Sequence, residues 1–351
     1  EVIEEHGRDP MRLFLLSVDP QGHDMNFSWE ETGEMGRRLN ILWNVFRFPL
    51  PYMRADGFDP AETGIEDVTL ETEDEWLLSR LQAVKAEATD AMERFENDVA
   101  VEEIISFVVE DVSRYYVQLV RDRVWEETDS EPKRAAYATL YRVLQDVVAL
   151  LAPFAPFVAE EIYGHLTGDG GHPTVHMCDW PEVERDLRDP GLEDEIEIAR
   201  SIEQSGSAAR QQGGRSLRWP IRRVVIETPN QSVVEAVNTH RGLLKDRLNA
   251  RSIEVVEPGE DWDALQYSAE ADMGELGPAF GGDAERVMNA LNEASIEEWN
   301  LDLLEDVVQE KTDLDVTLRE SMVEPVRKLP DDVADMEFLV ESESDDYDEE
   351  A

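Results

Sequence analysis

Two stretches of this sequence carry arginine and no acid, in a chain where Asp and Glu outnumber Lys and Arg by 81 to 32. The first, Met35 to Ala55, holds Arg37, Arg38, Arg47 and Arg54 with Trp43 and Asn44. The second, Gln204 to Ile226, holds Arg210, Arg215, Arg218, Arg222 and Arg223 with Gln211, Gln212 and Trp219. A stretch of that length would be expected to contain about five acids in this chain. Arginine forks meet phosphate oxygens, amides read base edges, and an aromatic plate stacks on an unpaired base. Gly213 and Gly214 give the second stretch a flexible joint. The chemistry on offer is RNA binding, more completely in the second stretch, because Leu39, Leu42, Trp43 and Phe46 in the first must also serve a core. The competing reading is that these arginines neutralise neighbouring acids on a folded surface.

Other chemistry finds little support. His172, His176 and Cys178 could begin a metal site, but Pro173, Thr174 and Val175 favour extended structure and no fourth ligand is near. An extended segment anchored by Trp180 accounts for them, and no metal is expected. The glycine-rich runs at Gly168 to His172 and Gly277 to Asp283 match neither phosphate-loop nor dinucleotide patterns, and read as turns. Neither GxSxG nor HExxH occurs, and no catalytic residue is assigned.

The elements that must position these residues are mostly helical. Arg8 to Ser17, Trp29 to Phe48, Asp74 to Phe95, Val99 to Trp125 and a segment ending near Ala152 space their apolar residues at the helical period. Pro49 and Pro51 stop the second of these, and Gly57 to Leu70 reads as a loop. Short connections between long amphipathic helices predict an antiparallel bundle, and another helix is expected from about Glu193 to Arg210. The texture then changes. Ile221 to Thr228 and Ser252 to Pro258 are β-branched runs flanking a helical Ser232 to Leu248, a β-α-β unit. Asp283 to Ala294 reads as a helix, and LDVTLRE and MEFLVES as strands. The predicted class is mainly α with an α/β C-terminal part, divided as 1–60, a bundle over 61–200, an α/β domain over 201–335, and a terminal strand with an acidic disordered tail over 336–351.

With 351 residues and 41% hydrophobic composition the chain can bury real cores. Its single cysteine excludes an internal disulfide framework. The longest apolar run, Val147 to Ala159, is too short to span a bilayer, and no signal peptide is read at the start. The net charge of −49 is spread through every segment, and only Lys85, Lys133, Lys245, Lys311 and Lys328 represent lysine. Acids on otherwise ordinary amphipathic helices point to a surface adapted to very high salt. A mimic of nucleic acid, or a binder of basic partners, is the other reading.

Several motifs in order carry a family resemblance. RDPMRLFLLSVDPQGHDMNFSWEETGEMGRRLNILWNVFRF resembles the segment after the Lys-Met-Ser-Lys-Ser loop in class I aminoacyl-tRNA synthetases for branched aliphatic amino acids. LLAPFAPFVAEEIYGHL resembles that family's anticodon-bundle motif, and PTVHMCDWPE the stretch that closes the bundle. ARQQGGRSLRWPIRRVVIE and ADMGELGPAFGGDAERVMNAL are similar to the isoleucine enzymes in particular. The resemblance covers about residues 1 to 295. The family's two nucleotide-binding signatures and its editing domain are absent, so it implies a C-terminal portion of a longer enzyme.

That resemblance carries further expectations. The portion would bind isoleucine tRNA through stem-contact helices and an anticodon-binding bundle, without activating the amino acid. ATP and Mg2+ would serve the full-length enzyme, with no cofactor held by this chain. The catalytic and editing domains would be its covalent partners, in a monomeric, cytoplasmic protein. The corresponding part of a valine enzyme, or an acidic helical interaction module without RNA, are the alternatives.

Overall fold

The computed structural model describes residues 1–328 except 19, 21–24, 61, 168–170, 213, 215, 261 and 263–264, and gives Gln212 as backbone only. The chain divides into two compact units, Glu1–Glu193 and the part from Asp194 onward. The first unit is helical: α1 (Val2–His6), α2 (Arg8–Ser17), α3 (Trp29–Arg47), α4 (Leu50–Asp56), α5 (Thr72–Glu93) and α6 (Asn97–Ser106) come first. A π-helical stretch, Phe107–Tyr116, leads into α7 (Val117–Trp125), followed by α8 (Glu131–Leu151) and α9 (Pro156–Leu166). Helix α10 (Pro190–Gln212) contains the boundary between the units. Among the described residues no helix is long and apolar enough to cross a membrane.

Local chemistry explains where these helices start. Ser28 Oγ accepts from the Glu31 N–H at 3.2 Å, and Glu30 and Glu31 sit in the first turn of α3, where the helix dipole favours negative charge. Leu39, Leu42, Val45 and Phe46 then form its buried face. Pro49 and Pro51 do end α3, but they also open α4, a helix the sequence reading missed. Proline is tolerated in a first turn because its absent N–H would have had no acceptor there. The long helices bury ionic groups as well as apolar ones. Asp74 on α5 accepts from Arg123 on α7 at 2.9 and 3.1 Å and from the Tyr116 hydroxyl at 2.5 Å. Lys85 lies buried with its ammonium 2.9 Å from Asp146, and buried Lys133 meets Asp56 at 2.7 Å.

The second unit contains two small sheets. Strands β1 (Ile221–Glu227) and β2 (Ala250–Val256) pair in parallel, with α11 (Gln231–Thr239) and α12 (Arg241–Arg247) between them in sequence. Ile226, Val233, Val237, Leu244, Leu248 and Ile253 pack there with Ala199 and Ile202 of α10. The expected single helix over 232–248 breaks at His240, which leaves helical geometry and bonds Glu195 through Nε2 at 2.8 Å. Strand β3 (Gln266–Ala271), α13 (Met273–Phe280), α14 (Ala284–Asn292), α15 (Leu301–Thr312) and β4 (Val323–Lys328) follow, with β4 antiparallel to β3.

Two further expectations change here. LDVTLRE is extended but unpaired: Val316 and Leu318 are buried in this second core, and the Leu318 N–H bonds Glu305 Oε1 at 2.6 Å instead of a strand. Its alternation reflects packing rather than a ladder. Part of the glycine-rich run read as a turn belongs to α13, and only Gly281–Asp283 turns. MEFLVES and the acidic tail lie outside the described residues.

Candidate nucleic-acid interface

Within the second acid-free stretch, residues 216–219 form a turn between α10 and β1 whose backbone is held by side chains. Arg210, near the end of α10, is 5% exposed. Its guanidinium donates to the carbonyl oxygens of Leu248 at 2.9 Å, Ser216 at 2.6 Å and Trp219. Burial pushes its pKa below the ordinary arginine range. Asn249, in a left-handed conformation (φ 47°), donates Nδ2–H to Leu217 O at 2.8 Å. The Trp219 N–H closes the turn on Ser216 O at 3.1 Å. With these carbonyls held by donors, the side chains of Leu217, Arg218 and Trp219 remain exposed, Trp219 with 68% of its surface.

Strand β1 continues the surface. The register that sets Ile221 opposite Ala250 and Arg223 opposite Ser252 leaves Arg222 level with Arg251, both exposed. Arg223 is engaged elsewhere, 3.1 Å from Glu254 and stacked over Trp262 at 5.1 Å. Gln211 is exposed, Arg215 lies outside the described residues, and the Gln212 side chain is not described. Asn249 and Arg251 were missed in the sequence. The signal was present, since Arg247 to Ile253 is also free of acid.

The first stretch lies in the other unit. Arg37, Asn40, Asn44 and Arg47 are exposed along α3 at intervals of three and four, which is one helix face. Arg37 pairs with Glu34, its Nε–H 2.6 Å from Oε2, and Arg38 meets Glu102 at 2.8 Å. Trp43 is half-buried against Phe46, ring centroids 5.4 Å apart, and serves the core as its spacing implied. Asn40 completes the face and was not singled out from sequence. His172 and His176 are exposed and Cys178 is half-buried. Among the described residues no three His, Cys, Asp or Glu side chains converge as a metal would require.

Comparison with known proteins adds a family likeness. The family "Anticodon-binding domain of tRNA ligase" matches residues 74–226, a span that includes the turn. Isoleucine–tRNA ligase of Haloarcula marismortui is 65% identical over 340 residues, which are 96% of this chain and 32% of that protein. The enzyme of the same name from Halobacterium salinarum is 58% identical over 97% of this chain and 33% of its own length. That of Methanosarcina barkeri is 42% identical over 83% and 28%. The chain thus spans about a third of the length of these relatives. Residues 74–226 thus match the anticodon-binding domain of tRNA ligases, within a chain that is similar to isoleucine–tRNA ligases of salt-loving archaea along nearly its whole length.

Proposed function

We propose that this chain is the tRNA-binding portion of an isoleucine–tRNA ligase, orienting isoleucine tRNA for aminoacylation carried out by domains outside it. The observation that carries the reading is the braced turn, which presents Leu217, Arg218 and Trp219 beside Arg222 and Arg251 in a chain of net charge −49. Such a chain repels RNA wherever its acids dominate, so contact must be confined to acid-free surface. The α3 face with Arg37, Asn44 and Arg47 is assigned a second contact, to the stem. Residues 1–60 supply stem-contact helices, 61–200 the bundle and 201–335 the C-terminal domain in this scheme. ATP and Mg2+ serve the adenylation step elsewhere in such a ligase; this chain binds and positions.

The test is tRNA binding by the triple charge reversal Arg218→Glu, Arg222→Glu, Arg251→Glu, with a circular dichroism check on folding. Five phosphate contacts to unpaired RNA lose about 3.5 decades of affinity per tenfold rise in salt, so at least two KCl concentrations are needed. Loss of isoleucine-tRNA binding is expected. Intact binding would remove the turn from the interface. A preference for valine tRNA would reassign the chain to the valine enzyme, and absence of RNA binding with a co-purifying protein would support an interaction module.

A further inference from the structure

We propose that Arg210 is a positioning residue, not an RNA contact: from the interior it fixes the 216–219 backbone so that the outward side chains meet an unpaired nucleotide. The proposal rests on the RNA reading of the turn, and its test separates the two.

Among the described residues the buried lysines have carboxylate partners, Lys85 with Asp146 and Lys133 with Asp56, and half-buried Arg123 has Asp74. The hydrogen bonds of Arg210 go to carbonyl oxygens, and its Nε–H finds no acceptor. A residue serving stability alone would gain more from an anion, because a desolvated charge without one is costly. What three carbonyls obtain from a planar fork is geometry. Two of them belong to the turn, and Asn249 takes the carbonyl between.

Holding these oxygens has an electrostatic result. Free carbonyls would place partial negative charge toward approaching phosphates, and the brace occupies those of Ser216, Leu217 and Trp219 with donors. It also fixes the backbone before the ligand arrives, which lowers the ordering cost of binding. Mobile ions screen exposed charges far more than buried ones, so the brace persists at molar salt while phosphate pairing weakens.

The experiment is a double-mutant cycle on the full chain with isoleucine tRNA in molar KCl, using Arg210→Ala, Trp219→Ala and the double variant. Asn249→Ala, at the rim of the same brace, provides a parallel cycle if Arg210→Ala fails to fold. Trp219→Ala should weaken binding by about fivefold to a hundredfold, the range of stacking on one base. Arg210→Ala should weaken it comparably, and the double variant should fall short of the product of the two losses by about threefold or more. Acrylamide should quench Trp219 fluorescence differently once the brace is cut, read as the difference from a Trp219→Phe control. Two outcomes overturn the proposal: losses that multiply independently, or unchanged affinity in Arg210→Ala while Trp219→Ala binds weakly. If neither substitution alters binding and the triple charge reversal also binds normally, the RNA reading of the turn fails instead.

Discussion

Replacing Asp74 by alanine should be among the most damaging single changes to the first unit, and the loss should not depend on salt. The carboxylate is fully buried, meets Arg123 at 2.9 and 3.1 Å, accepts from the Tyr116 hydroxyl at 2.5 Å and from the Glu71 N–H at 3.0 Å. Breaking a buried pair by removing one partner costs about 3–5 kcal/mol. Arg123 keeps Glu73 at 3.4 Å, which places its share near the lower end. The orphaned Tyr116 hydroxyl, itself fully buried, adds about 1 kcal/mol or more. A total near 4 kcal/mol lowers the melting temperature of a unit this size by roughly 8–16 °C. Thermal melts followed by helical circular dichroism, in two concentrations of KCl, measure it. Salt screens exposed pairs and leaves a desolvated one nearly untouched, so the difference from the parent should be the same in both. A loss under about 1 kcal/mol, or one that fades as KCl rises, would refute the assignment of this contact as a buried structural pair. Tyr116→Phe should lose about 1.5–3 kcal/mol, the value of a hydrogen bond to a charged group.

The hydrogen bond from Lys133 holds the Asp56 carboxyl below its ordinary value of 3.8, despite the opposing effect of burial. Its contribution is therefore present above the unfolded pKa and lost as pH falls through the folded one. The stability gap between parent and Asp56→Asn should stay constant from neutrality to about pH 4 and close below it; a gap that widens in acid would contradict the sign. Phe95 sits in the left-handed region (φ 61°) and is 73% exposed, so Phe95→Gly should raise stability by about 0.5–1 kcal/mol in denaturant melts. A loss there would show that the ring is in use. Because the Debye length grows from about 3 Å at 1 M salt to about 30 Å at 0.01 M, helical circular dichroism should persist in molar KCl and decline after dialysis to low salt. Identical spectra and melting temperatures in both would count against salt adaptation.

Periodicity made the long helices legible. The expected span of α2 agrees with the structure at both ends and that of α3 to within a residue, because Ser28, the acids after it and the prolines beyond mark start and stop chemically. Which charges lie inside was not legible. Asp74, Lys85 and Lys133 share helices with many exposed ionic residues, and only the partners brought near by folding distinguish them. Composition marked out the proposed interface but could not orient it. Arg210, Arg218 and Arg223 look equivalent in the sequence, yet one braces the turn, one faces solvent and one is engaged by Glu254 and Trp262. Arg251 lies in an acid-free run of its own, but what joins it to Arg222 is strand register, which nothing local encodes. LDVTLRE misled because alternation records burial on one side and does not state whether a neighbouring strand provides it.

The brace also determines when the proposed recognition surface comes into being. The bond from Arg210 reaches Leu248, 38 residues later, and Asn249 reaches back 32 residues to Leu217. A ribosome that has delivered the turn and Arg210 has not yet delivered Leu248 and Asn249, which complete the brace. Leu217, Arg218 and Trp219 emerge first as a pliable, sticky segment, and take their presented form only after the chain has passed through both helices of the crossover and laid down the start of β2. Competence for the ligand is thus withheld from a half-made chain, and a molecule that displays this turn has already finished folding the part of the second unit beneath it.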